Sequence, residues 1–339
     1  MDDLIFLHSK LVPEVVEMTE KRYSIMKAIE FNQPVGRRTL ANLLQKSERW
    51  VRSELDVLKA QSLIDIDPLG MTITAEGLQV LSGLRDYIIE IKGLRTLSDE
   101  LRDKLGVRDV IIIPGDSMEQ SQILTDMSKT AFDYLRKCVK RESIIAVSGG
   151  YSVMSVAENA ENLNYPEVIV VPARGGIKAD MERQANLVAA KLGKNIGGKY
   201  FLLHLPDIVN EEVFGRLLDD PDIKTVIDYI KNADIFIFGT SSLEAIAQKR
   251  NMNRDELDFL KSVNARAEAF GYYFDKDGKV VHRNGTVGIK ESDLKNIGTV
   301  MSIGGGATRA EALMLVNRDR KNHVMVIDEA AAKEMQKLL

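Results

Sequence analysis

Glycine and arginine recur together in this 339-residue sequence where the chain must turn. Ser148-Gly149-Gly150-Tyr151-Ser152 follows the apolar run 143–147 and precedes Val153, Met154, Val156 and Ala157 at helical spacing. A strand, a glycine turn and a helix start present backbone N–H groups and the positive end of a helix dipole, which suits an anion. Three further turns share the pattern: Pro172-Ala173-Arg174-Gly175-Gly176, Gly239-Thr240-Ser241-Ser242, and Gly304-Gly305-Gly306-Ala307-Thr308-Arg309. Arg174 and Arg309 add fixed charge with two-pronged donor geometry, the chemistry that recognises phosphate. Convergence of these turns on one sheet edge points to a phosphorylated small molecule. A dinucleotide fits less well, because no G-x-G-x-x-G opens a first βα unit with an acid at the required distance.

Bond-making chemistry has less support. Isomerising a sugar phosphate needs a carboxylate base with an acid partner, and these four turns carry no paired carboxylates. His8, His204, His282 and His323 lack metal-ligand spacing, and the single cysteine, Cys138, cannot build a thiolate site. The residues therefore predict no catalytic group, no metal and no cofactor. Binding without turnover is preferred over a sugar-phosphate isomerase- or deaminase-like enzyme, although Glu268 alone could still serve as a base.

The elements that must position these turns are visible as alternation. From residue 107 onward, apolar runs at 110–113, 143–147, 168–171, 200–204, 235–238, 300–303 and 324–327 read as strands. Amphipathic stretches at 123–139, 181–192, 223–230, 256–263 and 309–316 read as helices. The alternation predicts an α/β fold, a doubly wound Rossmann-like sheet over 107–339 with ligands outside the carboxyl ends of its strands.

The first 88 residues read differently. Leu4, Leu7 and Leu11 begin a helical face that breaks at Pro13. Residues 38–45 form a short helix, and Ser47 caps a longer one to Ala60 with Val51, Leu55 and Leu58 inward. Two helices across a tight turn make a helix-turn-helix. A hairpin, 63–66 and 71–74 around Asp67-Pro68-Leu69-Gly70, adds the wing. Arg49, Arg52 and Ser53 are placed to face base edges, while Arg37, Arg38 and Lys46 hold phosphates; Glu54 and Asp65 lie away from this cluster. Val80, Leu84, Tyr87, Ile91, Leu94, Leu101 and Leu105 then follow a heptad rhythm. The expected organisation is a winged helix-turn-helix over 1–88, a linker and oligomerisation helix over 89–106, and an effector domain over 107–339.

Composition is compatible with this plan. A formal net charge of −4 argues against a chain coated in nucleic acid, yet permits one basic patch. One cysteine points to a reducing compartment. With no apolar run near the roughly 20 residues of a membrane span, a soluble cytoplasmic protein without a membrane partner is expected.

With these residues in place, the chain resembles the SorC/DeoR-type sugar-responsive bacterial transcription regulators over nearly its whole length. PVGRRTLA and VRSELDVLKAQSLIDI carry the likeness in the DNA-binding part, PARGGIKADMERQANLVAAKLG and RAEAFGYYFD in the middle, and GGATRAEAL near the end. The resemblance implies a homo-oligomeric repressor, dimer or tetramer, that binds operator DNA. It implies a ligand domain similar to sugar-phosphate isomerases and deaminases, with a phosphorylated glycolytic sugar as effector, fructose 1,6-bisphosphate favoured. It assigns phosphate roles to Arg174 and Arg309, a sugar-hydroxyl role to Glu268 and a supporting polar role to Gln184. Ser148, Gly149, Gly150, Tyr151, Ser152, Gly175, Gly306 and Ala307 complete the expected ligand set. Two positions depart from the family pattern: Tyr151-Ser152 replaces its Thr-Thr, and Arg309 replaces its lysine.

Overall fold

The computed structural model describes residues 10–176, 184–206, 211–285 and 287–339. The chain divides into two units, Met1–Thr96 and Leu97–Leu339. In the first unit, α1 (Pro13–Asn32) begins with proline at its first turn, where a missing N–H breaks no helical bond. Leu4 and Leu7 lie outside the described residues, and Leu11 is 81% exposed. Next come α2 (Arg37–Leu43) and α3 (Glu48–Ala60); the Ser47 hydroxyl caps α3 by accepting the Trp50 N–H at 3.3 Å. Strands β1 (Ile64–Asp67) and β2 (Gly70–Ile73) pair antiparallel, and the Asp67 carboxylate accepts the N–H groups of Leu69 and Gly70 to close their turn. Ile25, Met26 and Ile29 of α1 share one core with Leu40, Val51, Leu55, Leu58, Ile64 and Met71. This is the expected winged helix-turn-helix.

The heptad run is not one helix. It is divided into α4 (Ala75–Ile91) and α5 (Leu94–Leu105) by Lys92 and Gly93, with Gly93 at φ +64°, a conformation that ends helices. Leu94, Leu101 and Leu105 are buried, whereas Leu84, Tyr87 and Ile91 are half-buried. Only the α4 part of the seam keeps accessible apolar surface.

The second unit contains a seven-stranded sheet whose pairs are all parallel, in the order β3-β13-β12-β7-β4-β5-β6. Its strands are β3 (Asp109–Ile113), β4 (Ile144–Val147), β5 (Ile169–Pro172), β6 (Lys199–Tyr200), β7 (Ile235–Phe238), β12 (Thr299–Ile303) and β13 (His323–Asp328). Side chains alternate between faces, as a strand requires. Ile145, Val147, Ile235, Ile237, Met301 and Ile303 pack under α6 (Ser121–Cys138), α7 (Tyr151–Glu158) and α8 (Ala185–Ile196). Phe236 and Phe238 join Phe270 in a separate ring cluster with centroids about 5.1–5.5 Å apart. The expected strand at 200–204 shrinks to two residues, and the helix expected from 181 begins at Ala185, with 181–183 outside the described residues.

Short elements produce a second sheet that periodicity did not reveal. Its antiparallel order is β11-β10-β9-β8, formed by β8 (Ser241–Ser242), β9 (Ala267–Ala269), β10 (Tyr272–Phe274) and β11 (Val280–Arg283). Helices α9 (Glu211–Leu217) and α10 (Pro221–Lys231) lead to β7, α11 (Leu243–Lys249) and α12 (Arg254–Ser262) run between β7 and β9, and the chain closes with α13 (Ala310–Asn317) and α14 (Glu329–Leu338). The order in which the chain adds strands reverses between β4 and β7: β5 and β6 are laid down on one side, β12 and β13 on the other. Chain segments leave that point to opposite sides, which opens a crevice at the carboxyl ends.

Candidate functional site

A cleft of about 470 Å³ occupies that switch point. The β4 turn supplies Ser148, Gly149 and Gly150, followed by Tyr151 and Ser152 at the start of α7. Gly150 stands at φ +123°, a backbone region that side-chain-bearing residues rarely adopt, and among the described residues nothing lies within 4 Å of where its Cβ would be. The turn is open to a ligand. The first N–H groups of an α-helix have no partner within the helix, so the start of α7 faces the cleft as a donor array. Tyr151 is 55% exposed, while Ser152 is buried.

The end of β5 adds Arg174 and Gly175. This segment is held from outside the sheet: the Ile289 N–H donates to Ala173 O at 2.8 Å and the Gly175 N–H to Val287 O at 3.1 Å. Arg174 is only 6% exposed, and its Nη1 lies 3.6 Å from Glu268 Oε1. Glu268, on β9, enters the cleft through the second sheet. Its Oε1 also accepts from Arg250 Nη2 at 3.1 Å and from the Gly271 N–H at 2.9 Å. Arg250 is braced by the Tyr273 hydroxyl, 3.5 Å from its Nη1, and burial pushes the Tyr273 phenol up. Glu268 is the one carboxylate lining the cleft among the described residues, and it neutralises parts of two guanidinium groups.

Gln184 and Arg309 line the same cleft, as do Thr240, Ser241, Lys249 and Arg250. Thr240 and Ser241 belong to the third glycine turn, which the sequence marks without giving either residue a role, and Lys249 and Arg250 have no motif around them that would mark them. Two buried atoms here, Thr240 Oγ1 and Arg250 Nε, have no hydrogen-bond partner among the described residues. Such atoms are costly unless a bound group or water satisfies them.

Gly306 and Ala307 depart from expectation. Neither lines the cleft, and the Gly306 N–H donates to the buried carboxylate of Asp328 at 2.8–2.9 Å. The fourth turn already holds an anion, an internal one. Asp328 and Glu329 form an acid pair just past the apolar run 324–327, and nothing in the run itself marks them, although β13 extends to Asp328.

The first unit carries the second candidate surface. Arg37, Arg38, Arg49 and Arg52 line one groove together with Glu48. Glu48, at the start of α3, sits inside this cluster: its Oε1 lies 3.1 Å from Arg38 Nε. Both side chains are largely exposed, so the pair is weak and yields readily to a phosphate. Lys46 is exposed but outside the groove, and the Ser53 hydroxyl donates to Trp50 O at 2.8 Å.

Residues 18–88 match the CggR N-terminal DNA-binding domain, and residues 89–337 match a sugar-binding domain family. The central glycolytic genes regulator of Priestia megaterium is 36% identical over 337 residues, 99% of this chain and 98% of that protein. Its Bacillus subtilis counterpart is 35% identical over 336 residues, 99% of each chain. A SorC family transcriptional regulator from Enterococcus faecalis, 33% identical, superposes with a TM-score of 0.67 over 71% of this chain and 99% of its own. The full-length sorbitol operon regulator from Klebsiella pneumoniae shares the fold, with a TM-score of 0.64 at 17% identity over 92% of this chain and 97% of its own.

Proposed function

This chain belongs to the SorC/DeoR family of sugar-binding, DNA-binding transcriptional regulators, and on that premise we propose that it represses glycolytic genes until a phosphorylated sugar binds its cleft. One observation carries the reading. Arg174, Lys249, Arg250 and Arg309 converge with the open Gly149-Gly150 turn on a single cleft that has one carboxylate. A phosphoryl group brings about 1.5 to 2 negative charges, and fixed guanidinium and N–H donors replace its water. Fructose 1,6-bisphosphate is the favoured effector, because four cations lining one cleft suit a ligand that carries two phosphates, and Thr240 Oγ1 and Arg250 Nε, without a partner among the described residues, suit its oxygens. Ser148, Ser152, Gly175 and Gln184 complete the ligand set. Gly306 and Ala307 serve the site indirectly.

Turnover is not part of this function. A general base must be free to take a proton, and Glu268 Oε1 is engaged by Arg250, Arg174 and the Gly271 N–H. Incubation with hexose and pentose phosphates should yield no product; any isomerised or deaminated sugar would restore the enzyme reading.

On DNA, Arg49, Arg52 and Ser53 read bases while Arg37, Arg38 and Lys46 grip phosphates. The domains act as 1–88 for DNA, 89–106 as connector and 107–339 for the effector, in a homo-oligomer whose seam is the α4 face of Leu84, Tyr87 and Ile91. The test is a fluorescence titration of the full chain on fragments from its own upstream region. Fructose 1,6-bisphosphate should weaken binding by the ~1–3 kcal/mol typical of coupled sites. Arg52→Ala should relax sequence preference by about 1–3 kcal/mol, and Arg38→Ala should weaken all sequences alike and lower the salt slope by about 1. Binding that ignores every glycolytic sugar phosphate would overturn the effector assignment.

A further inference from the structure

We propose that Asp328 is a positioning residue that locks the fourth glycine turn and so fixes where Arg309 meets the effector; the proposal rests on the effector reading above. Asp328 ends β13 and is fully buried. Its Oδ2 accepts from the Ser117 N–H at 2.8 Å, the Ser117 hydroxyl at 2.6 Å and the Gly306 N–H at 2.8 Å, and its Oδ1 accepts from the Ala331 N–H at 2.8 Å. The neighbouring Glu329 Oε2 accepts the Gly115 N–H at 3.0 Å. Three segments therefore meet at one carboxylate: the loop after β3, the turn after β12 and the first turn of α14.

The packing leaves no slack. A Cβ on Gly305 would lie 2.2 Å from Asp328 Oδ2 and 2.4 Å from Ser117 Oγ, so only glycine brings the turn this close. Arg309 follows within one short helical turn, its N–H bonded to Gly306 O at 3.1 Å. Gly306 thus receives its place from Asp328 and passes it to Arg309, which lines the cleft. The same carboxylate keeps an effector phosphate off this turn: its donors are taken, and a second anion beside Asp328 would be repelled. Effector anions are confined to the Gly149-Gly150 side and the cleft cations.

The experiment uses the full chain and two readouts. Calorimetric titration with fructose 1,6-bisphosphate gives affinity, and hydrogen exchange over 304–309 in the effector-free protein reports on the turn. Asp328→Asn should weaken affinity about tenfold, as expected for losing a charged acceptor, and should speed exchange over 304–309. Ser117→Ala, which removes one donor and carries the test if Asp328→Asn does not fold, should weaken affinity about threefold. Because Asp328 acts through Arg309, Asp328→Asn should have no further effect on affinity in an Arg309→Ala background, a non-additivity that a general loss of stability would not produce. Unchanged affinity in both single variants, or full additivity with Arg309→Ala, overturns the proposal. If the wild type does not bind the sugar, the effector reading fails separately, and exchange alone decides: unchanged exchange over 304–309 refutes the lock, faster exchange supports it.

Discussion

The turns after β4 and β12 are built from the same parts, a buried strand, successive glycines and a helix start, and they end in opposite states. At Gly150 none of the described residues occupies the space a Cβ would fill. At Gly306, the corresponding glycine before the helix start, that space is taken by the Met118 side chain, at Gly305 just before it by Asp328 and Ser117, and the Gly306 N–H is bonded to a resident carboxylate. A glycine turn before a helix is thus an anion site only if no side chain from elsewhere has reached it first. Here the deciding residue comes from β13, more than twenty residues further along the chain.

The largest test of this contrast is on the open side. Arg174 sits beside the open turn, nearly buried and opposite Glu268. If Arg174 is the desolvated phosphate partner proposed above, Arg174→Ala removes it, and truncating such a charge costs about 2–5 kcal/mol. The effector response should vanish at any practical concentration, while effector-free DNA binding stays within about twofold of wild type, since Arg174 is not a DNA-reading residue. A surviving response would mean the ligand sits elsewhere.

The filled side predicts a loss of stability instead. Gly305→Ala drives a methyl into Asp328 and Ser117, and overpacking of this kind costs about 1–3 kcal/mol. Gly150→Ala meets no atom of the described residues, and only its φ of +123° opposes it, for about 1 kcal/mol of strain. Urea midpoints of the two variants should therefore fall in that order. Equal midpoints would erase the distinction between the turns.

Acid should sharpen it further, because β13, which delivers Asp328, begins at His323. Burial, helped by repulsion from Arg320, holds the His323 imidazole down to about 3, and its Nδ1 lies 2.8 Å from Asn317 Oδ1. An unfolded histidine takes a proton near pH 6.5 and the folded one does not. Stability is therefore unaffected above that pH and declines from about 6.5 toward 3, by about 2 kcal/mol at pH 5. Urea titrations at pH 7 and 5 measure the loss, and His323→Leu should reduce the slope even if it lowers stability at pH 7.

Much of this was legible in the sequence, for physical reasons. Buried parallel strands need continuous apolar runs, so Ile235–Phe238 is found where its composition places it. The Ser47 cap and the inward Val51, Leu55 and Leu58 fix α3 locally. Arg174 is conspicuous because a strand ends on a charge between small residues. What stayed hidden depends on contacts distant in sequence. Arg250 closes α11 in a stretch with no motif to mark it, and only the folding of β9 and β10, each three residues long, brings Glu268 and Tyr273 to it. Asp328 reads as the polar residue that ends a strand. Gly93 is one residue in a good heptad, and its left-handed backbone divides the seam.

The smallest expected effect falls at the lip of the open turn. Tyr151 occupies the first position of α7, where the family pattern has threonine, and over half of its surface is exposed. Replacing it should leave stability within about 0.5 kcal/mol, as for most surface changes. Affinity is another matter. The α7 N–H donors remain whatever the side chain, but a threonine hydroxyl can add one hydrogen bond to a phosphate oxygen and clears bulk from an otherwise open seat. A charge-assisted bond of this kind is worth about 1 kcal/mol once the lost ring contact is deducted. Tyr151→Thr should therefore tighten fructose 1,6-bisphosphate about threefold to fivefold in a calorimetric titration. Weaker binding would show that the ring covers the bound sugar, making the open turn a site whose lid is part of its specificity.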